Sequence, residues 1–416
     1  MQKLYIKGGK TLEGKVRISG AKNAALAIVC ASLLAGDTVC LENMPDITDV
    51  NVLLDIIANL GVKVVRKGPD VVEITTPDHI STKTPYREVK KLRASNLLLG
   101  PLLARFCNAE IALPGGCNIG SRPMDLHIKG FEALGANLSL EHGFIKGHCS
   151  RLSGSKIYLD FPSVGATENI MMAAALSKGQ TVLENVAKEP EIVDLANFLN
   201  SLGAKIRGAG TDVIKIDGVD QLGGGRYSVI PDRIEAGTFM VAAAATHGDL
   251  TIENIISTHV EPLIAKLREA NVEVIEDDDT IRVIARDELR PIDIKTLPYP
   301  GFPTDMQSQV MAMLTVVKGT SVIVENVFEN RLQVADEFKR MGAKIKVEGR
   351  TAVIQGVKRL QGAQVKASDL RAGAALIVAG LIADGDTEIC NTCYIDRGYE
   401  KIEQKLISLG ASISRI

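Results

Sequence analysis

The chain has no apolar run long enough to cross a membrane. Its longest, Ala24–Gly36, spans thirteen residues against the roughly twenty that a spanning helix needs. A strand-like alternation precedes that run, with no signal-peptide pattern, so a cytoplasmic protein is expected. Surplus charge of either sign is also missing: 48 Lys and Arg stand against 50 Asp and Glu, for a formal net charge of -2. No global basic field exists to hold nucleic acid or an anionic membrane, and neither is an expected partner. Any anionic ligand must be caught by a local cluster of Lys and Arg. There is no disulfide framework either. Seven cysteines, an odd number scattered over the chain, indicate free thiols in a reducing compartment. Finally, no Walker A loop and no well-placed Gly-x-Gly-x-x-Gly occurs, so nucleotide hydrolysis and dinucleotide binding have no support.

What is present is the balance of a soluble globular protein, 46% hydrophobic and 24% charged. At 416 residues the chain exceeds what one core usually supports, and two domains are expected. Six copies of a helix end followed by a strand recur: "IIANLGVKV", "FEALGANL", "FLNSLGAKI", "KLREANVEV", "FKRMGAKI" and "KLISLGASI". Their turn positions, Gly61, Gly135, Gly203, Ala270, Gly342 and Gly410, lie 67 to 74 residues apart, a period too long for a solenoid. Apolar residues at helical spacing precede each turn, glycine ends the helix, and β-type alternation follows. A second element recurs upstream, as "GDTVCLEN", "GQTVLEN", "GDLTIEN", "GTSVIVEN" and "GDTEICN". The unit near Ala109 has "AEIALPGG" instead. Ala-rich apolar helices precede most copies, so each unit reads helix, strand, helix, strand, and the protein is α/β. Six units divide most simply as three plus three, with the boundary near "GGGRYSVIPD", where Pro231 follows a glycine run. Ligand sites prefer clefts between domains, so candidate residues are sought in both halves.

Several stretches suggest chemistry, each beside a plainer reading. Lys22 and Asn23, where a strand gives way to a helix, suit an anion held by free backbone N–H groups, or a solvated lysine beside an Asn N-cap. For Arg93, in "KKLRASN", a helix-surface arginine is the default reading. Cys117 lies among Gly115, Gly116 and Gly120 with Arg122 five residues on; exposure and nearby cations make a thiol useful, but glycine-rich loops also serve as plain turns. Asp305 in "FPTDMQ", Asp369 with Arg371 in "ASDLRA", and Asp396 with Arg397 in "YIDRGYE" fit salt bridges or caps as well as a site. Cys390 and Cys393 form a Cys-x-x-Cys without a second pair, a weak metal or redox signal.

Taken together, "SGAKNAAL", "LPGGCNIGSRPMDLH", "EPEIVDLANFL", "FPTDMQ", "VFENR", "SDLRA" and "DRGYEKIE" give the chain a full-length resemblance to the UDP-N-acetylglucosamine 1-carboxyvinyltransferase family. This resemblance implies a two-domain inside-out α/β barrel, each domain built from three repeats. The first domain would cover residues 22–229 and carry the cysteine loop; the second would comprise 1–21 and 230–416. It implies transfer of the enolpyruvyl group of phosphoenolpyruvate to the 3′-hydroxyl of UDP-N-acetylglucosamine with release of phosphate, the opening step of peptidoglycan synthesis. No metal or redox cofactor is implied, and a monomer is expected.

The same resemblance implies roles for single residues. Cys117 would donate a proton and be the target of the epoxide fosfomycin. A thiol with an ordinary pKa near 8.5 is mostly protonated at neutral pH and can act as an acid. Lys22, Arg122 and Arg397 would hold phosphoenolpyruvate, with Asn23 nearby, and Asp305 would be the base at the attacking hydroxyl. Arg93, the run Arg122, Pro123, Met124, Asp125 and Leu126, and Val327 would contact the UDP-sugar, with Asp369 and Arg371 lining the cleft. One departure is visible: Phe161 and Pro162 stand where some members carry a lysine in the uridine-contacting segment. Two alternatives are the shikimate-pathway enolpyruvyl transferase, which lacks a matching cysteine loop, and a silent UDP-sugar-binding regulatory paralogue. Intact Lys22, Cys117, Asp305 and Arg397 speak against the latter.

Overall fold

The computed structural model describes residues 2–85, 89, 92–113, 119–120 and 124–416. The chain forms two compact units. Of the described residues, one holds 2–19, 119–120 and 231–416, the other those between 20 and 113 and between 124 and 230.

Each unit repeats one small sheet. In the second unit Gly225–Ser228 runs parallel to Val39–Glu42, which pairs antiparallel with Val72–Thr75 and through it with Lys63–Arg66. The same order recurs in Lys156–Tyr158, Gln180–Glu184, Val213–Asp217 and Lys205–Arg207. A third sheet, Asn108–Ala112, Phe144–His148 and Asn137–Glu141, has among the described residues only the Lys83 to Glu110 bridge in the parallel position. The first unit holds three such sheets, and the N-terminal strands are built into two of them. Glu13–Arg17 is the parallel partner of Asp249–Glu253, and Leu4–Lys7 lies between Asp386–Cys390 and Ser412–Arg415. The hydrophobic alternation read from the sequence is the inward face of these strands, as in Val39–Glu42, where burial alternates residue by residue.

The recurrent asparagine after these strands has a structural task. Asn43, Asn185, Asn254, Asn326 and Asn391 each donate from Nδ2 to a backbone carbonyl at the end of the parallel strand. The acceptors are Val229, Leu159, Ile18, Thr296 and Ala367, at 2.6 to 3.3 Å. Four of the five sit in the left-handed region, φ 53 to 62°, which asparagine tolerates better than most side chains. Asn326 is the exception. Lys295 pairs with Val324, so Glu325 takes the ladder position opposite Thr296 and Asn326 falls one residue beyond it. In the third sheet of the second unit no such clamp occurs among the described residues; there the Thr84 hydroxyl, on the parallel segment, accepts from the Ala112 N–H at 3.1 Å.

The helix-ending glycines at 61, 135, 203, 342 and 410 all have φ near +90 to +106°, as their role in the repeat requires. The fourth turn differs from the sequence expectation. Ala270 has ordinary φ -75°, and Asn271 takes the left-handed position at φ 70°. Asparagine again replaces glycine where a side chain must survive positive φ.

Helices of two kinds cover the sheets. Thr48–Asn59 is amphipathic and buries Val50, Leu53, Ile56 and Ile57 on one side, each worth about 1.5–3 kcal/mol. Ala-rich helices such as Val164–Ala174, Arg233–Ala245 and Leu370–Ile382 are buried on nearly every side. Small residues allow that: a Cβ on Gly100, in Leu99–Phe106, would stand 2.4 Å from the Asn169 carbonyl oxygen. No helix among the described residues is long and apolar enough to cross a membrane.

Candidate active site

In the first unit an aspartate is gripped by two arginines. Pro303 is extended and leads into the 3-10 turn Thr304–Met306, which feeds the buried helix Gln307–Leu314. This places Asp305 at the helix entrance. Arg331 Nη1 donates to its Oδ1 at 2.6 Å, while Arg371 donates to Oδ2 from Nη2 at 2.8 Å and Nε at 3.1 Å. Both arginine side chains are 5% exposed or less; Asp305 retains 25%. Burial works against the carboxylate charge, but Arg371 and Arg331 outweigh it and hold the carboxyl well below its usual range. Burial likewise opposes the Arg371 charge, and Asp305 more than restores it.

Asp369 and Arg371 do not pair through the guanidinium. Asp369 is the N-cap of Leu370–Ile382, and its Oδ1 accepts from the N–H groups of Arg371 and Ala372 at 2.9 and 3.0 Å. The cap orients the helix start so that the Arg371 side chain reaches Asp305. Nor is Asp396 reserved for Arg397: Arg415 grips it in two contacts of 2.7 and 3.0 Å. Arg397 itself is half-buried in the following turn.

Glu325, fully buried, organises the neighbourhood. It accepts from the hydroxyls of Thr296 and Thr304, both at 2.9 Å, and from the N–H groups of Val327 and Phe328 at 2.8 and 3.1 Å. Four donors satisfy the carboxylate, fix the turn that carries Val327, and tie down the residue before Asp305. Arg331 Nε is buried with no hydrogen-bond partner among the described residues, a donor within the guanidinium that grips Asp305.

In the second unit Lys22 opens the helix Lys22–Ala31, behind Ala21 rather than an asparagine cap. Its Nζ lies 3.0 Å from Asp49 Oδ2, with the side chains 14% and 4% exposed; it is not a solvated lysine. Asn23 is half-buried beside it, and Arg93 opens the 3-10 turn Arg93–Leu98. Met124, Asp125 and Leu126 form the entry to the helix Asp125–Ala133, with Asn96 Nδ2 3.3 Å from the Met124 sulfur. Phe161 is 52% exposed, just before Ser163, the N-cap of Val164–Ala174. Cys117, Arg122 and Pro123 lie outside the described residues. Arg331, Glu325 and Asp49 do not stand out in the sequence; only the six-residue spacing from Glu325 to Arg331, within "VENVFENR", hints at the first two.

A family model described as EPSP synthase (3-phosphoshikimate 1-carboxyvinyltransferase) matches residues 6–406. The UDP-N-acetylglucosamine 1-carboxyvinyltransferase 2 of Carboxydothermus hydrogenoformans is 59% identical over 418 residues, covering 100% of both chains. UDP-N-acetylglucosamine 1-carboxyvinyltransferase 1 of Caldanaerobacter subterraneus subsp. tengcongensis is 56% identical, covering 99% of each. Among solved structures, the enolpyruvyl transferase NikO from Streptomyces tendae superposes with a TM-score of 0.91 at 26% identity, covering 100% of this chain and 99% of its own. EPSP synthase from Acinetobacter baumannii reaches 0.79 at 20% identity over 100% of both chains, a likeness of fold alone. The fold is the two-domain inside-out α/β barrel of these transferases. With relatives matched from end to end, the chain belongs to the UDP-N-acetylglucosamine 1-carboxyvinyltransferase branch of the EPSP synthase family of enolpyruvyl transferases.

Proposed function

We propose that this protein transfers the enolpyruvyl group of phosphoenolpyruvate to the 3′-hydroxyl of UDP-N-acetylglucosamine and releases phosphate. The observation that carries the reading is full-length identity of 59% to a transferase named for that acceptor. The reaction is addition followed by elimination. Phosphoenolpyruvate is protonated at C3 while the sugar hydroxyl attacks C2; the tetrahedral ketal then expels phosphate.

The residues suit these demands. A carboxylate held as an anion by Arg331 and Arg371 is a weak base, so Asp305 takes the hydroxyl proton only as positive character develops at C2. The thiol of Cys117 supplies the proton to C3. Neighbouring cations would drain that proton by lowering the thiol pKa, and the bound phosphate and carboxylate offset them. Lys22, Arg122 and Arg397 hold phosphoenolpyruvate, with Asn23 beside Lys22. Arg93, residues 122–126, Val327, Asp369 and Arg371 serve the UDP-sugar. The domain carrying the cysteine loop spans residues 22–229, and residues 1–21 and 230–416 form its counterpart; the working protein is a cytoplasmic monomer.

Purified protein given phosphoenolpyruvate should release phosphate with UDP-N-acetylglucosamine and not with shikimate 3-phosphate. No release with the UDP-sugar would sink the reading. Cys117→Asp, which keeps an acid at that position, should keep activity and lose labelling by fosfomycin; persistent labelling would move the target to another cysteine.

A further inference from the structure

Cys107 occupies a backbone position that rarely suits its side chain. It ends the helix Leu99–Phe106 in the left-handed region, at φ 56° and ψ 10°, and its N–H closes the last turn on the Leu103 carbonyl at 3.1 Å. Glycine or asparagine takes such a position at little cost, whereas most other side chains crowd the backbone there. The helix-ending turns of the repeat use glycine or, once, asparagine. A cysteine kept in that conformation indicates a use for the thiol.

The thiol has a partner. Asn108 pairs with His148 across antiparallel strands, and the pairing runs one residue further, where the Cys149 N–H donates to the Cys107 carbonyl at 3.0 Å. Residues opposite each other on such strands bring their Cβ atoms to about 4.5–5.5 Å, and the two thiols are in direct hydrogen-bond contact. Each sulfur also lies near a backbone carbonyl, Cys107 Sγ 3.4 Å from that of Ser150 and Cys149 Sγ 3.6 Å from that of Leu103. Both side chains are half-buried, so a small reagent reaches an ordered pair. Burial first, and then the Cys107 sulfur, pushes the Cys149 thiol up to about 11, so it rests protonated. The Cys-x-x-Cys of the sequence is placed differently: Cys390 Sγ lies 3.7 Å from Glu388 Oε1, and Cys393 Sγ 3.8 Å from the Asn391 carbonyl.

We propose that Cys107 and Cys149 form a reversible redox site, which a low-molecular-weight disulfide oxidises to an intrachain disulfide. The Cys107 thiolate attacks one sulfur of the reagent, forming a mixed disulfide and releasing one reagent thiolate. Cys149 then gives up its proton and attacks the Cys107 sulfur, forming the Cys107–Cys149 bond and releasing the second. The two cysteine protons pass through solvent to the departing thiolates, so two cysteines lose two electrons and the reagent disulfide becomes two thiols. The bond closes residues 107–149, 43 in all and including Cys117, into a covalent loop, which restricts the unfolded chain and stabilises the fold. The alternative is two cysteines that only fill space as small apolar side chains.

The test treats the protein with oxidised glutathione, blocks the remaining thiols and digests with trypsin. No Lys or Arg separates Cys107 from Cys117, so the link is mapped in Cys117→Asp. The peptide containing Cys107 should be joined to the one containing Cys149, at their summed mass less two hydrogens, and dithiothreitol should part them. In wild type the same oxidation should raise Tm by about 5 °C or more, reversibly, and Cys149→Ser should show no such rise. Glutathione carried separately by the two cysteines, a link from either to another cysteine, no reaction at all, or an equal rise in Cys149→Ser would overturn the proposal. If Cys149→Ser failed to fold, the mapped link and the wild-type shift would decide. None of these readouts uses the transfer reaction, so a failure of that reading would leave the redox site standing.

Discussion

The sheet around Asp249–Glu253 and the one around Thr320–Val324 share the same plan, yet of the two the second supplies the buried carboxylate that ties down the turn of Asp305. In the first, Asn254 is in step with its parallel strand, clamps the Ile18 carbonyl and sits at φ 60°. In the second, Glu325 takes that ladder position and accepts four hydrogen bonds beside Asp305, while Asn326 makes the clamp one residue late. A regular repeat closes a sheet; a repeat out of step frees a residue for other work. The sheet of Asn108–Ala112 departs further, since no clamp occurs there among the described residues and the sequence runs on through Leu113 to the segment containing Cys117. Two of the candidate residues, Asp305 and Cys117, thus stand near departures from the repeat, one in space and one in sequence.

Breaking the departure should cost more than breaking the rule. The largest effect is expected at Asp305→Asn, which leaves two buried guanidiniums without their counter-ion. Phosphate release should fall about 10²–10⁴-fold, and stability by about 3 kcal/mol. Glu325→Gln comes next, because an amide cannot accept all four of the donors present. About 2 kcal/mol of stability and roughly tenfold in activity should be lost, read by urea unfolding and phosphate release. Asn254→Ala removes one hydrogen bond and puts alanine at positive φ, for about 2 kcal/mol in all, with activity unchanged. Asn254→Gly should recover about half of that loss, since glycine relieves the backbone but not the missing bond.

The smallest effect is a pH dependence. Asp305 titrates below its unfolded value of 3.8 when folded, so its stabilisation is complete above about pH 4 and is lost only as pH falls through the folded value. Calorimetry should therefore find a constant Tm gap between wild type and Asp305→Asn from pH 8 to pH 5, closing below pH 4. A gap that closes near neutrality would mean that the arginines do not hold the carboxylate as described.

Much of the fold is legible in the sequence because repeats announce themselves. The helix-ending glycines and the alternation after them are local consequences of backbone geometry, and five of the six turn positions have the expected positive φ. The sixth lies one residue further on, because Asn271, not glycine, bears the left-handed position. The site is legible as single residues but not as a network. Arg331 and Arg371 lie 26 and 66 residues from Asp305, and nothing local ties them to it. Short-range pairing misleads in the same way: Asp369 and Arg371 are neighbours in sequence, yet one caps the helix and the other leaves for Asp305. The asparagine of "LEN" and its variants is visible five times, but its partner is a carbonyl on another strand, so its purpose emerges only with the sheet order.

The most direct measurement compares Asn254→Ala with Glu325→Gln side by side, recording kcat/KM for phosphate release with UDP-N-acetylglucosamine well below either melting temperature. Asn254→Ala should match wild type despite its lower stability, and Glu325→Gln should lose about tenfold in kcat/KM. Equal activity in the two variants, or a larger loss at Asn254, would contradict the view that the out-of-step repeat serves the site.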